Sequence, residues 1–272
     1  MKVVVGLREG PNKTNMRSEA LIQGLKRANQ GVKRQGREQS VKEADLYVQT
    51  GFAPSTGLKS AIELQIPYII MEAPVFRDFG LDDYSSWGYN GLMGGAWRPQ
   101  APETAREKPT LQERHGGPQL IIGQKPTDHS LRGSDHVEWI RAKREALPEA
   151  DFRPHPLMVP PGTLEPIHEV LKDYGEVYTY SSTVGVDALI AGCEVHAESD
   201  GSLLRAYTGS REEFIHELSW WQAHHTSYGA LIDYILSGYD EARERAKQGL
   251  MEHPREKIDG AAACRRYYQL GL

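Results

Sequence analysis

Tyr180-Ser-Ser-Thr-Val-Gly-Val-Asp-Ala-Leu-Ile-Ala-Gly-Cys-Glu-Val195 is the stretch whose reading decides the fold. Val177 and Tyr178 before it end a buried strand, and the small residues that follow make a loop. A short helix then runs to Ala191, and Gly192 turns the chain into another strand. Strand, loop, helix and strand in succession are the unit of a parallel α/β sheet. This reading leaves the N–H groups of Thr183, Val184 and Gly185 at a helix N-terminus, where free donors and the helix dipole favour an anion. Ser181 and Ser182 add hydroxyl donors. Asp187, one turn into the helix, is placed to accept from sugar hydroxyls. The combination reads as a grip for a nucleotide or nucleotide sugar; the plainer reading is an ordinary strand-loop-helix with a serine as N-cap.

Upstream, Phe152-Arg-Pro-His-Pro156 ends a strand with a cation, a histidine and two prolines. Proline donates nothing to a ladder, so the segment leaves the sheet here. Arg153 and His155 then stand at a strand end, where open α/β sheets bind ligands.

The 272 residues suffice for one large or two ordinary domains, with the composition of a globular protein. No apolar run is long enough to span a bilayer. Met1-Lys-Val-Val-Val-Gly6 reads as a strand, too short for a signal peptide. Two cysteines, Cys193 and Cys264, make no disulfide framework, and the ten histidines show no metal-ligand spacing. A reducing cytoplasm is expected, and no metal or resident cofactor. The net charge of −5 argues against a strongly basic nucleic-acid binder, though a local basic cleft is compatible with it.

Alternation organises the chain. Strands are expected at 3–5, 45–50 and 66–71, with helices at 18–28 and 58–64 between them, as in a parallel, doubly wound sheet. Residues 98–118 carry four prolines and a Gly-Gly pair and read as a linker or surface loop. Strands at 118–123, 150–153 and 176–179 then alternate with helices at 135–145, 167–173 and 184–191. Further helices run from Arg211 towards Trp221 and over 240–249. Two Rossmann-like domains, 1–117 and 118–272, are expected to face each other across a cleft, with the last helix packing back on the first.

Three segments occur in order: Leu120-Ile-Ile-Gly-Gln-Lys-Pro-Thr-Asp-His-Ser130, Arg153-Pro-His-Pro156 and Ser181-Ser-Thr-Val-Gly-Val-Asp-Ala-Leu-Ile-Ala-Gly192. Together they resemble the nucleotide-sugar-binding half of GT-B glycosyltransferases. The likeness is to the capsule-polysaccharide Kdo-transferase type and related short bacteriophage proteins, including DNA-modifying glycosyltransferases. Tyr89-Asn-Gly-Leu-Met-Gly94 looks like a phage variant of the first half. The resemblance covers residues 118–240 well and the first 117 only in layout. It implies transfer of a sugar from a nucleotide-sugar donor, such as a UDP-sugar, in a bacterial or phage-infected cytoplasm. It also implies donor contacts from Gln124, Thr127 and Asp128, with Ser130 in the same loop. Two departures stand out. Asp187 replaces the usual Glu, and Glu198-Ser-Asp-Gly201 stands where the capsule enzymes carry an aromatic-glycine signature.

On the first half, Glu72 follows a buried strand and Glu9 lies in the loop after strand one; both are candidate bases for an acceptor hydroxyl. The alternatives are a cap or an Arg77 ion pair for Glu72 and a solvated carboxylate for Glu9, with Asp78 weaker. Gly6 to Asn15 matches no Walker A or GxGxxG spacing. Asn12, Lys13, Arg17 and Asn90 are the acceptor-side candidates. Lys13, Arg17, Lys26, Arg27, Lys33, Arg34 and Arg37 concentrate cations in the first 40 residues. That suits a surface tracking phosphates, so double-stranded DNA with 5-hydroxymethyl pyrimidines is the favoured acceptor; a glycan, or a module without turnover, is the alternative. Trp220, Trp221, His224 and His225 read as packing before a base-stacking platform.

Overall fold

Near-continuous apolar strands belong in the middle of a sheet covered on both faces, and three early strands take that place. The computed structural model describes residues 1–10, 13–77, 84–104, 106–207, 209–224, 228–255 and 259–270. It divides into two compact units, Met1–Lys108 with Ile215–Pro254 and Pro109–Phe214 with Arg255–Leu272. The expected division at 117/118 is corrected by this partition. Ile215–Pro254 is the part that returns to the first unit, whereas the last helix stays with the second.

The first unit opens with β1 (Lys2–Leu7), α1 (Lys13–Arg27), β2 (Gly31–Gly36), β3 (Leu46–Thr50), α2 (Thr56–Glu63), β4 (Tyr68–Glu72) and β5 (Tyr84–Tyr89). The second carries β6 (Gln119–Ile122), α3 (His136–Ala146), β7 (Asp151–Arg153), α4 (Ile167–Val170), β8 (Glu176–Thr179), α5 (Val184–Ala191) and β9 (Glu194–Ala197). Helix α6 (Arg211–Trp220) leads back to the first unit and its β10 (Gln222–His224), α7 (Tyr228–Ser237) and α8 (Tyr239–Lys247). Helix α9 (Gly260–Tyr268) ends the described chain.

In the first unit the strand order is β10-β5-β4-β3-β1-β2. The four strands β2, β1, β3 and β4 are parallel, β5 runs antiparallel to β4, and β10 pairs antiparallel with β5. The three strands expected here, β1, β3 and β4, are parallel as read, and the antiparallel pairings come from β5, which the sequence reading did not place. Residues 73–83 join β4 to β5, fewer than the dozen or more a parallel crossover takes. Side chains alternate between the two faces with the strand period. Val3, Val5, Leu46, Val48 and Ile69 share a core with Leu21 and Leu25 of α1 and Ile232 and Ile235 of α7. Val4, Tyr47, Tyr68 and Ile70 share the other with Leu58 and Ile62 of α2 and Ala246 of α8. Each large aliphatic so buried contributes about 1.5–3 kcal/mol.

The second unit has a wholly parallel sheet, β7-β6-β8-β9. Leu120, Ile122 and Val177 pack with Leu171, Val184 and Ala188. Val137 and Ile140 of α3 pack with Met158 and with Tyr267 of α9, which ties the last helix to this unit. Gly192 ends α5 in the left-handed region at φ 97°, where a Cβ would run into the Glu113 carbonyl. Both cysteines are free thiols. No helix among the described residues is long and apolar enough to cross a membrane.

Candidate functional site

Strand register assembles the site in the second unit. Ile122 of β6 pairs with Arg153 of β7 on one side and Thr179 of β8 on the other. The next residues, Gln124, His155 and Ser181, therefore leave the sheet at one edge. The chain passes from β6 outward to β7 and then back across β6 to β8, so the loops after β6 and β8 flank a topological switch point.

At that point a buried lattice joins the two loops. The Gln124 side-chain oxygen accepts the Ser181 N–H at 2.7 Å, and its nitrogen donates to Ser181 Oγ at 3.0 Å and Ser130 Oγ at 3.2 Å. The two serine hydroxyls lie 3.0 Å apart. Asp128 accepts the Ser130 N–H at 2.8 Å and caps the 3-10 turn 129–131, the local role a loop aspartate takes by itself. Thr127 turns its methyl towards Gly260 at the start of α9.

The α5 terminus differs from its expectation. Val184 N–H is taken by Ser182 Oγ at 3.2 Å, and Gly185 N–H by the Ser182 carbonyl at 3.1 Å. Thr183 already has helical angles, φ −64° and ψ −14°, so the loop curls into a tight first turn and closes those donors on itself. Ser182 keeps its hydroxyl hydrogen to donate. Gly185 is buried, and a Cβ there would press on Leu204 and Thr179, so it serves helix-strand packing rather than facing a ligand. Asp187 is half-buried in the first turn.

Arg153 donates to the Glu165 carbonyl, and burial lowers its pKa from the usual arginine value. His155 Nδ1 accepts the Leu157 N–H at 3.1 Å, which leaves Nε2 as the ring nitrogen that carries a proton. Its own N–H reaches the Tyr267 hydroxyl at 3.3 Å.

Sequence reasoning missed His136. It opens α3, is 2 % exposed, and its Nε2 accepts the Gln124 N–H at 2.7 Å. Burial, with His155 as a lesser cause and Asp135 opposing, pushes its pKa down to about 4, so the ring is neutral. It stacks on Trp139 at 5.2 Å between centroids, with Tyr180 edge-on. A lone histidine after a capping aspartate has no spacing that marks it.

In the first unit, Glu72 ends β4 and accepts the Phe52 N–H at 3.2 Å, while Glu9 is exposed after β1. Asn90 is corrected from acceptor ligand to framework. It is 3 % exposed, accepts the Tyr68 N–H at 3.1 Å and donates to the Ala242 carbonyl at 2.8 Å. Its left-handed backbone at φ 55° is buried with it. Arg17 is half-buried on α1, which Lys13 opens; Asn12, Asp78 and His225 lie outside the described residues. Among the clustered cations, Arg34 pairs with Glu19 at 2.6 Å and Arg37 with Glu38 at 3.1 Å. Trp220 packs on Tyr234, and Arg98 lies 3.9 Å over the Trp221 ring, which is packing within the unit.

No protein-family model matches the chain, and no curated protein matches it. Solved structures do. The KpsC β-Kdo 2,4 transferase of Thermosulfurimonas dismutans superposes with a TM-score of 0.54 at 15% identity, over 82% of this chain and 92% of its own. The KpsC β-Kdo 2,7 transferase of the same organism gives 0.52 at 12% identity, over 100% and 99%. The fold is GT-B. At such identities the likeness is one of architecture, two Rossmann-like units in one chain. In this GT-B chain the described lattice belongs to the C-terminal of those units.

Proposed function

We propose that this chain is a glycosyltransferase that takes a sugar from a nucleotide-diphosphate donor held by the second unit. The observation that carries the reading is the register of β6, β7 and β8, which brings Gln124, His155 and the Ser181–Ser182 pair to one switch point in a GT-B fold. Arg153, the Nε2–H of His155 and the Ser182 hydroxyl would stabilise charge on the leaving phosphates. Thr127, Asp128 and Asp187 would meet the donor's hydroxyls. In the reaction the bond from the anomeric carbon to phosphate oxygen breaks and one to the acceptor oxygen forms. Glu72, ahead of Glu9, would take the acceptor's proton in an inverting reaction. A UDP-sugar is the first donor to test.

For the acceptor, hydroxymethylated DNA draws support from the cations of residues 13–37, reduced by the pairing of Arg34 and Arg37. A glycan is the alternative acceptor. One experiment covers all arms: a nucleotide-sugar panel offered with 5-hydroxymethylated duplex, unmodified duplex and oligosaccharides. Label in the hydroxymethylated duplex alone supports DNA, and label in oligosaccharide alone supports a glycan. Donor binding without transfer or hydrolysis would make the chain a binding module, and no donor binding at all would overturn the proposal.

A further inference from the structure

One row of the first unit's sheet brings two guanidinium groups together where an α/β sheet takes its ligands. Leu7 of β1 pairs with Gly36 of β2, so the next residues, Arg8 and Arg37, emerge side by side. On the other flank Gly6 pairs with Gln49 and Thr50 with Met71, which sets Gly51 and then Glu72 in the same row. The Arg8 Nη2 lies against Gly51, at 3.1 Å from where a Cβ would stand. The sheet's strand order reverses between β1 and β3, so this row tops its switch point.

Like charges do not gather without cause. Burial and the neighbouring Arg37 lower the pKa of Arg8, and Glu72 only partly opposes them. Arg37 reaches one carboxylate, Glu38, through its Nε. Arg8 Nε and Arg37 Nη1 are both buried with no acceptor among the described residues. A buried donor left without an acceptor costs about 1–3 kcal/mol, more when charged. Both side chains stay part-exposed, with Arg37 at 18 %, so an anion can reach the pair from solvent.

We propose that Arg8 and Arg37 form an oxyanion site in the first unit that takes a phosphate or carboxylate group. Planar guanidinium forks match both groups in a bidentate way. Gly51 keeps the approach clear of a side chain, and Glu72 at the row's end favours a singly charged group over a denser one. Oxyanion capture here would hold whether or not the chain transfers sugar. Beside a transferase, it would favour acceptors that carry an acid group.

The test is an NMR titration of the full chain, following the arginine Nε–H signals assigned through Arg8→Gln and Arg37→Gln. The probes are inorganic phosphate and acetate, each against chloride at equal ionic strength. The Arg8 and Arg37 signals should move saturably with phosphate, acetate or both, and the stronger probe identifies the oxyanion. Arg8→Gln should weaken the response of Arg37 by roughly tenfold or more. Arg8→Lys, which keeps the charge and loses the fork, should fall between. Signals that ignore both probes, or follow chloride equally, overturn the site. So does a response that survives in Arg8→Gln and disappears in Arg153→Gln, which would place the anion in the second unit. Loss of sugar transfer alone leaves the titration, and hence the site, standing.

Discussion

Gln124 and Ser181 hold each other through both ends of the glutamine amide, oxygen to the Ser181 N–H at 2.7 Å and nitrogen to its hydroxyl at 3.0 Å. The loops after β6 and β8 are thereby fixed as one piece before any ligand arrives. Gln124→Ala should leave the buried Ser181 N–H without its acceptor and cost about 1–3 kcal/mol. Gln124→Glu keeps an acceptor but loses the donor, so a smaller loss is expected. Hydrogen exchange at the Ser181 amide reads both; unchanged protection in Gln124→Ala would show that the lattice does not hold the loop.

His136 makes the second unit sensitive to acid. Its folded pKa of about 4 lies below the ordinary 6.5, so the unfolded chain binds more protons between those values. Stability is then full above pH 6.5 and falls as pH drops towards 4, by on the order of 3 kcal/mol. His136→Gln should remove that part of the slope while keeping an acceptor for the Gln124 N–H. Urea melts between pH 4 and 7 in both proteins measure it, and identical slopes would refute it.

The donor reading puts charge-assisted contacts at Arg153 and His155. Alanine at either should weaken binding of the donor identified by the panel by about 1.5–3 kcal/mol with the fold intact. Calorimetry gives the number. Wild-type affinity in both variants, with cooperative unfolding retained, would exclude them from the donor site.

Asp187→Asn should lower donor affinity modestly, because an amide oxygen still accepts from a hydroxyl, and Asp187→Ala should lower it more. The ratio of the two affinities is the readout. Equal losses would point to charge rather than hydroxyl recognition.

Asn90 carries the opposite expectation. Asn90→Ala removes both buried hydrogen bonds and puts a Cβ residue with no local partner at φ 55°, so about 3 kcal/mol of the first unit's stability should go. Asn90→Gly, which tolerates that backbone, should lose less. Donor affinity, which the proposed function assigns to the second unit, should not change in either.

The second unit was legible because each of its motifs follows directly on an apolar strand, and Gly192 marks where α5 stops. The edge strand β2, Gly31-Val-Lys-Arg-Gln-Gly, has Val32 as its one large apolar residue and gave no period to read. Strand β5 hides Trp87 among serines and a glycine. Side-chain pairing between distant loops, such as Gln124 to Ser181, comes from register rather than local pattern. The α5 terminus was misjudged for a similar reason: whether a loop curls back on its own N–H groups depends on the angles at Thr183, which composition does not encode.

The interleaving of the two units imposes an order on how the chain can be born. A ribosome releases β1 to β4 first, yet the apolar face they share with α7 waits for Leu231, Ile232 and Ile235, more than two hundred residues after Val3. The second unit begins in that interval and is itself unfinished until Tyr267 of α9 emerges. Neither unit closes until residues 231–235 and then Tyr267 have emerged, so both hold exposed strands together during synthesis, the condition that favours chaperone capture and misassembly. A stop after Phe214 should therefore release a first sheet without β10 and its α7 cover, and a second sheet with all four strands but without the α9 that packs on α3.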